Sequence, residues 1–392
     1  MIINPSIILT SIYYSSITNK KNILLLIISC CALLNAQQLS SDRAIIFPDI
    51  DNHFTLVSDF HSHTAFSDGD VWPTIRVEEA DRDQLDVLAI TDHLYKDPNK
   101  NFHSKDIPNP DKNRSFEIAR DHVKNDLILI HGVELSREVP LGHCNAIFVE
   151  DINKLFNEDE TELFEAANKQ NAFTFWNHPY REQEPYGVVK PMGIHKELIR
   201  KGLLHGIEVV NRNKLSVDAL QIALDYNLTI MGNSDIHGII DWEYEVNNGG
   251  HRPVTLVFAK EKNTNGIREA LFNRQTVVWH ENTLIGRKEW LLPLIDASLE
   301  VISLEYKTNV SAYKRDLAFV TIKNHSDVRF ILKNKSKFDF FTNSDVIEIP
   351  ANDSIELQVI TKGKLEMFNL NFEVQNAIFA PRKHPVISLK IK

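Results

Sequence analysis

The sequence predicts an α/β fold on a mainly parallel sheet, open or closed into a barrel, followed by an all-β sandwich. Three observations predict it. From about Phe54 to Trp279, short β-branched or apolar runs alternate with helix-like stretches. After about Leu294 the runs stay strand-like and no helical period is evident. The chain also has 392 residues, 43% of them hydrophobic, which is enough for two domains with substantial cores. The expected division is a barrel over 45–293 and a sandwich over 294–392, behind a leader at 1–36.

The leader comes first. Lys20 and Lys21 precede an apolar run over 23–34, and Asn35, Ala36 and Gln37 follow. A positive region, a short hydrophobic region and a small residue form an export signal, and the run is shorter than the ~20 residues that span a bilayer. Cleavage after Ala36 removes Cys30 and Cys31 and leaves Cys144 alone, which suits an oxidising periplasmic or secreted location. The competing reading takes Ile27 to Cys30 as a lipobox, with Cys30 acylated and the protein anchored at the outer membrane.

Seven strands are expected in the barrel: 54–60, 85–90, 127–130, 145–149, 172–176, 207–210 and 229–231. Helical patterns fall at 73–83, where Pro73 suits a first turn, and at 115–124, 161–170 and 216–226. In the sandwich the strand-like runs are 300–306, 318–322, 346–349, 355–360, 370–374 and 386–391. Turn-prone clusters separate them, such as Asn324-His325-Ser326-Asp327 and Ala351-Asn352-Asp353-Ser354.

The histidines and carboxylates concentrate at strand ends. The first strand runs into His61-Ser62-His63 and then Asp68-Gly69; the second runs into Asp92-His93. The third reaches His131 and Glu134, His143 precedes the fourth, and the fifth runs into Asn177-His178. The seventh runs into Asp235-Ile236-His237. Strands of a parallel α/β sheet share one carboxyl-end face, so these clusters converge although they span the whole domain. Imidazole with carboxylate and no thiolate suits Zn, Mn or Fe. His53, His103, His122, His195, His280, His325 and His384 lack this placement and read as surface or hydrogen-bonded residues. Asp92 reads as a partner that fixes an imidazole tautomer.

The segments DFHSHTAFSDG, AITDH, HGVE, GHCNAIF, NHP and NSDIHG, in this order, resemble the metal motifs of the PHP (polymerase and histidinol phosphatase) superfamily. The resemblance covers roughly 54–280. WPTIRVEEA, FWNHP, HGIEVVN and HRPVTLVFAK are similar to an exported phosphodiesterase branch of it. It implies a distorted seven-stranded (β/α) barrel with two or three divalent transition metal ions. His61, His63, Glu134 and Asp235 would hold one ion. Glu134, His143 and His178 would hold a second, and Asp68, His93 and His237 a third. Asp68 departs from members with His at that position.

The implied reaction is hydrolysis of small phosphate esters, phosphodiesters first, through a hydroxide shared by two ions. Arg137 and Arg252 are the sequence candidates for steadying phosphoryl oxygens, His251 for protonating the leaving group, Asn211 for a substrate contact and Trp176 for a pocket wall. A net charge of -10 disfavours long nucleic acid as substrate. Competing readings are a phosphomonoesterase of the histidinol-phosphatase type, an amide or lactone hydrolase, and a silent metal-binding module.

Overall fold

Residues 43–95, 110–183, 189–310 and 315–392 are described by the structure, a computed structural model. The leader expected at 1–36, with Cys30, lies outside them, as does His103. The unit Ile45–Lys392 carries everything below.

Its first half runs β1 (Phe54–Asp59), α1 (Pro73–Arg82), β2 (Val87–Ile90), β3 (His93–Tyr95), α2 (Arg114–Arg120), β4 (Ile128–Ser136) and β5 (His143–Ile147). Then come α3 (Glu160–Lys169), β6 (Phe173–Trp176), α4 (Pro179–Gln183), α5 (Gly193–Arg200), β7 (Gly206–Asn211) and β8 (Lys214–Leu215). The half ends with α6 (Val217–Asp225), β9 (Thr229–Asn233), α7 (Ile240–Glu243), β10 (Val254–Ala259), α8 (Thr264–Phe272), β11 (Thr276–His280), β12 (Thr283–Gly286) and α9 (Lys288–Ser298). Local chemistry sets several helix starts. Pro73 opens α1, and side chains of Asp159, Ser216 and Asn263 accept from first-turn amides of α3, α6 and α8.

The seven strands read from sequence are β1, β2, β4, β5, β6, β7 and β9. They belong to one curled thirteen-stranded sheet, whose β1 and β9 ends meet. Phe60 N donates to Asn233 Oδ1 at 3.0 Å, and Ser62 bridges Ile236. One expectation needs correction: parallel and antiparallel pairings are equally common in this sheet. In particular β5 runs antiparallel to both β4 and β6, with Ser136 opposite His143 and Cys144 opposite Trp176. The first residue of β5 therefore lies at the same end as the last residues of its neighbours. That is why His143, which precedes its strand in sequence, still joins the common face.

The second half is a sandwich of β13 (Leu299–Val310), β14 (Arg315–Asn324) and β17 (Ser354–Thr361) against β15 (Phe330–Asn334), β16 (Val346–Ile349), β18 (Phe368–Val374) and β20 (Val386–Ile391). Its strands alternate buried and exposed residues, as two packed sheets require. The division expected at 293/294 falls inside α9, which holds Pro293. The two halves also share one apolar core, in which Leu256 and Phe258 of the barrel continue through Leu291 and Leu294 to Val320 and Phe330. Moreover, β19 (Ala377–Ile378) leaves the sandwich and pairs in parallel with β12 of the barrel sheet.

Candidate metal centre

Nine side chains that the sequence placed at strand ends come together at one end of the barrel. His61 and His63 leave β1, Asp68 lies in the loop between β1 and α1, His93 opens β3, Glu134 lies on β4 and His143 starts β5. His178 follows β6, and Asp235 and His237 follow β9. His178 and Asp235 have φ of 27° and 49°, a region non-glycine residues avoid at a cost of about 1–3 kcal/mol. The chain accepts that strain where both side chains turn inward.

The first group has a shape that can be tested. His61 Nε2, His63 Nε2, Glu134 Oε2 and Asp235 Oδ1 are separated by 3.1 Å between the imidazoles, 3.4 and 3.3 Å from His61 to the carboxylates, and 3.3 and 3.2 Å from His63. Ligands about 2.0–2.1 Å from one ion lie roughly 3.3–3.4 Å apart, so His61, His63 and Asp235 can share one, with Glu134 Oε2 at a similar distance from both imidazoles. In the second group, His143 Nδ1 and His178 Nε2 lie 3.0 and 3.2 Å from Glu134 Oε1. The two oxygens of Glu134 thus face different groups. In the third, Asp68 Oδ2 is 3.2 Å from His93 Nε2 and Asp68 Oδ1 is 3.3 Å from His237 Nε2. His63 Nδ1 lies 3.6 Å from the latter oxygen. Asp68 thus reaches both imidazoles of its group.

Burial and charge are balanced here by neighbours. Burial alone would raise Glu134 and Asp235; the imidazoles of His93, His61 and His143 hold Glu134 well below the usual carboxylate range, and His61 and His63 do the same for Asp235. Burial would lower His61, yet Asp235, Glu208 and Glu134 raise it well above its ordinary value. His93 is likewise raised to about 10 against its burial, by Glu134 and Asp68. His63 is lowered to about 3 by burial and by the neighbouring His237 and His93. Such a set of ionised carboxylates and proton-holding imidazoles is one that dications can enter by displacing protons.

The remaining candidates lie elsewhere. Arg252 is buried in ion pairs with Asp59 at 3.2 Å and Asp83 at 2.7 Å, behind the cluster. Arg137 is buried and donates to the carbonyls of Leu94 and Ser136. The His251 ring lies flat on Trp279, 3.5 Å between centroids, and its Nε2 donates to Glu281 O. Asn211 is buried and donates to Glu208, while Trp176 is a core residue stacked on His195. Asp92 accepts from Thr64 and Ser67, so it holds the loop that carries Asp68 rather than an imidazole.

Two arginines that sequence reasoning missed occupy the rim instead. Arg181 Nη1 and Arg212 Nε reach Asp235 Oδ2 at 3.2 and 3.3 Å, and Arg212 Nη2 donates to His237 Nδ1 at 2.7 Å. They are 49% and 37% exposed, beside ligand candidates Asp68 and His237, which are about one-fifth exposed. His143, on another part of the cluster, is 29% exposed. Arg181 is the second residue after the NHP segment and Arg212 follows the end of β7, a proximity that was the available signal.

A family model for an Ig-like domain (DUF5001) matches residues 302–390. No curated protein matches the chain. Among solved structures, it is similar to a two-domain protein from Bacteroides vulgatus ATCC 8482 containing a predicted PHP-like metal-dependent phosphoesterase. Identity is 37%, the match covers 89% of this chain and 98% of that one, and the TM-score is 0.79. A structure from Bifidobacterium adolescentis ATCC 15703 described as a metal-dependent phosphoesterase matches at 16% identity, over 46% and 88% of the chains, with a TM-score of 0.34. An amidohydrolase from Chromobacterium violaceum with bound sulfate matches at 14%, over 46% and 87%, with a TM-score of 0.31. With a relative this similar along nearly its whole length, and with six motifs in order meeting at one barrel end, the chain belongs to the PHP-like metal-dependent phosphoesterases.

Proposed function

We propose that the protein hydrolyses small phosphodiesters at two or three divalent ions held by His61, His63, Asp68, His93, Glu134, His143, His178, Asp235 and His237. Bound there, the ions would supply a low-pKa water and polarise a phosphoryl oxygen. The observation that carries the diester reading is the pair Arg181 and Arg212 on the rim. Their guanidinium groups converge on Asp235 Oδ2, are partly exposed, and can turn to a non-bridging oxygen of a substrate held beside Asp235 and His237. A phosphodiester has two such oxygens, one for the ions and one for the arginines. The third oxygen of a monoester would call on further cations, and Arg137 and Arg252 are committed to buried partners. Tyr95 stacks on His93, 5.0 Å between centroids, and its phenol stays protonated through the physiological range because burial and the nearby Asp68 and Glu134 disfavour the anion.

The leader pattern around Lys20 to Ala36 supports export, and among the described residues no helix is long and apolar enough to cross a membrane. N-terminal sequencing of protein from its host should begin near Gln37; lipid labelling at Cys30 would replace the soluble form by an anchored one.

The activity test is direct. Protein stripped by chelation and reloaded with Mn, Fe or Zn is assayed on aryl phosphate diesters, monoesters and an aryl carboxylate ester. We expect the highest kcat/KM on the diester. A faster monoester overturns the diester preference, and a faster carboxylate ester ends the phosphoesterase reading.

A further inference from the structure

The segment HGIEVVN places Glu208 in the middle of β7, 1% exposed, with no part in any of the three ligand groups. All four of its contacts are donors. Oε1 accepts from His61 Nδ1 and Asn233 Nδ2, both at 2.9 Å. Oε2 accepts from the backbone N–H of His178 and from Asn211 Nδ2, also both at 2.9 Å. Sheet pairing fixes the backbone beneath it, since β7 lies between β6 and β9.

We propose that Glu208 is a positioning residue that couples the first two metal groups through one carboxylate. On one side it holds the proton of His61 on Nδ1. That leaves the lone pair of Nε2 facing His63, Glu134 and Asp235, the orientation a first ion needs. On the other side it fixes the amide of His178, whose φ of 27° is a conformation the side chain does not favour on its own. With that amide held, His178 Nε2 reaches Glu134 Oε1 in the second group. A carboxylate oxygen only accepts, and all four neighbours only donate in this arrangement. Glutamine is therefore a poor replacement, because its NH₂ meets two donors whichever way it turns.

The inference rests on the metal reading above, and the test separates the two. Metal content and affinity are measured for wild type and Glu208→Gln, with Mn and Zn as the probes, beside melting of the metal-free proteins. We expect the metal-free variant to melt lower, since its amide meets two donors, and its folded fraction to lose metal affinity 10–100-fold, with occupancy falling at two sites together. A folded variant with wild-type affinity overturns the proposal. So does a variant whose metal-free form is destabilised but whose folded fraction binds normally, since that is a purely structural role. Should the variant fail to fold, imidazole ¹⁵N spectra of Zn-loaded wild type decide. His61 protonated at Nδ1 and ligated at Nε2 supports the proposal, and the opposite tautomer overturns it. Wild type that binds no metal would instead sink the metal reading itself.

Discussion

A Cβ placed on Gly69 would sit 2.7 Å from the carbonyl carbon and oxygen of His63 and from Thr64 N, so the turn after Asp68 closes only without a side chain. Gly69→Ala should push Asp68 away from His93 and His237. Equilibrium dialysis should show one ion weakened and the others retained. At the rim, Arg181→Ala should slow diester turnover by roughly 10²-fold or more for a contact made in the transition state, with metal content unchanged. Arg212→Ala should slow it and also weaken the ion held by His237, whose Nδ1 it meets. Arg252 calls for the opposite result. Its removal leaves Asp59 and Asp83 buried without their partner, so Arg252→Ala should cost about 3–5 kcal/mol of stability in denaturant titrations. These contrasts also mark what the sequence could show. Histidine and carboxylate clusters betray themselves by spacing at strand ends, and all nine met. Arginine has no such spacing rule, and a long side chain three residues after a ligand can turn inward to a carbonyl, as Arg137 does after Glu134, or outward towards solvent, as Arg181 does after His178.

Among the elements of the barrel, most strands legible in sequence were those with a ligand cluster at one end, because the cluster marks where the strand stops. The strands β10, β11 and β12 end in none and were not placed, although 254–259 is apolar at every position but Thr255 and wholly buried. Direction was hidden as well. A short apolar run reads the same in either orientation, so the reversal of β5 emerged only from its register with β4 and β6. The strand ends also predict how binding responds to pH. His61 and His93 are raised above ordinary imidazole values by the carboxylates they face, so without metal they carry protons at neutral pH. An entering ion must displace them. Metal affinity should therefore climb as the pH rises above about 6, with proton release on binding measured by calorimetry in buffers of different ionisation enthalpy. Affinity that is flat with pH would show that the imidazoles are already neutral.

For the whole molecule, the sequence divides barrel from sandwich near 293/294 without showing how they join, and the shared core and β19 tie them together. Periodicity along the chain reveals where strands stop alternating with helices, but not that one strand crosses back 93 positions later to pair with β12. A fragment of 45–298 loses the sandwich's share of the common core and uncovers the edge of β12 that pairs with β19. It should be insoluble or molten by near-UV circular dichroism, whereas 45–392 should give a single cooperative transition. A soluble, sharply melting fragment would show the seam to be dispensable. The seam also constrains how such a protein can be rearranged by recombination. Asn376 donates to the carbonyls of Asn282 and Arg329 while Leu284 N donates to its own carbonyl, so barrel and sandwich read each other residue by residue. A crossover after Ser298 that grafts on a distant relative's sandwich must bring a matching Asn376 and β19 or leave an open edge. Exchange of whole domains is therefore a poor route to new members of this lineage. Substitution within loops at the pocket mouth leaves the seam untouched and is the freer route to new substrates.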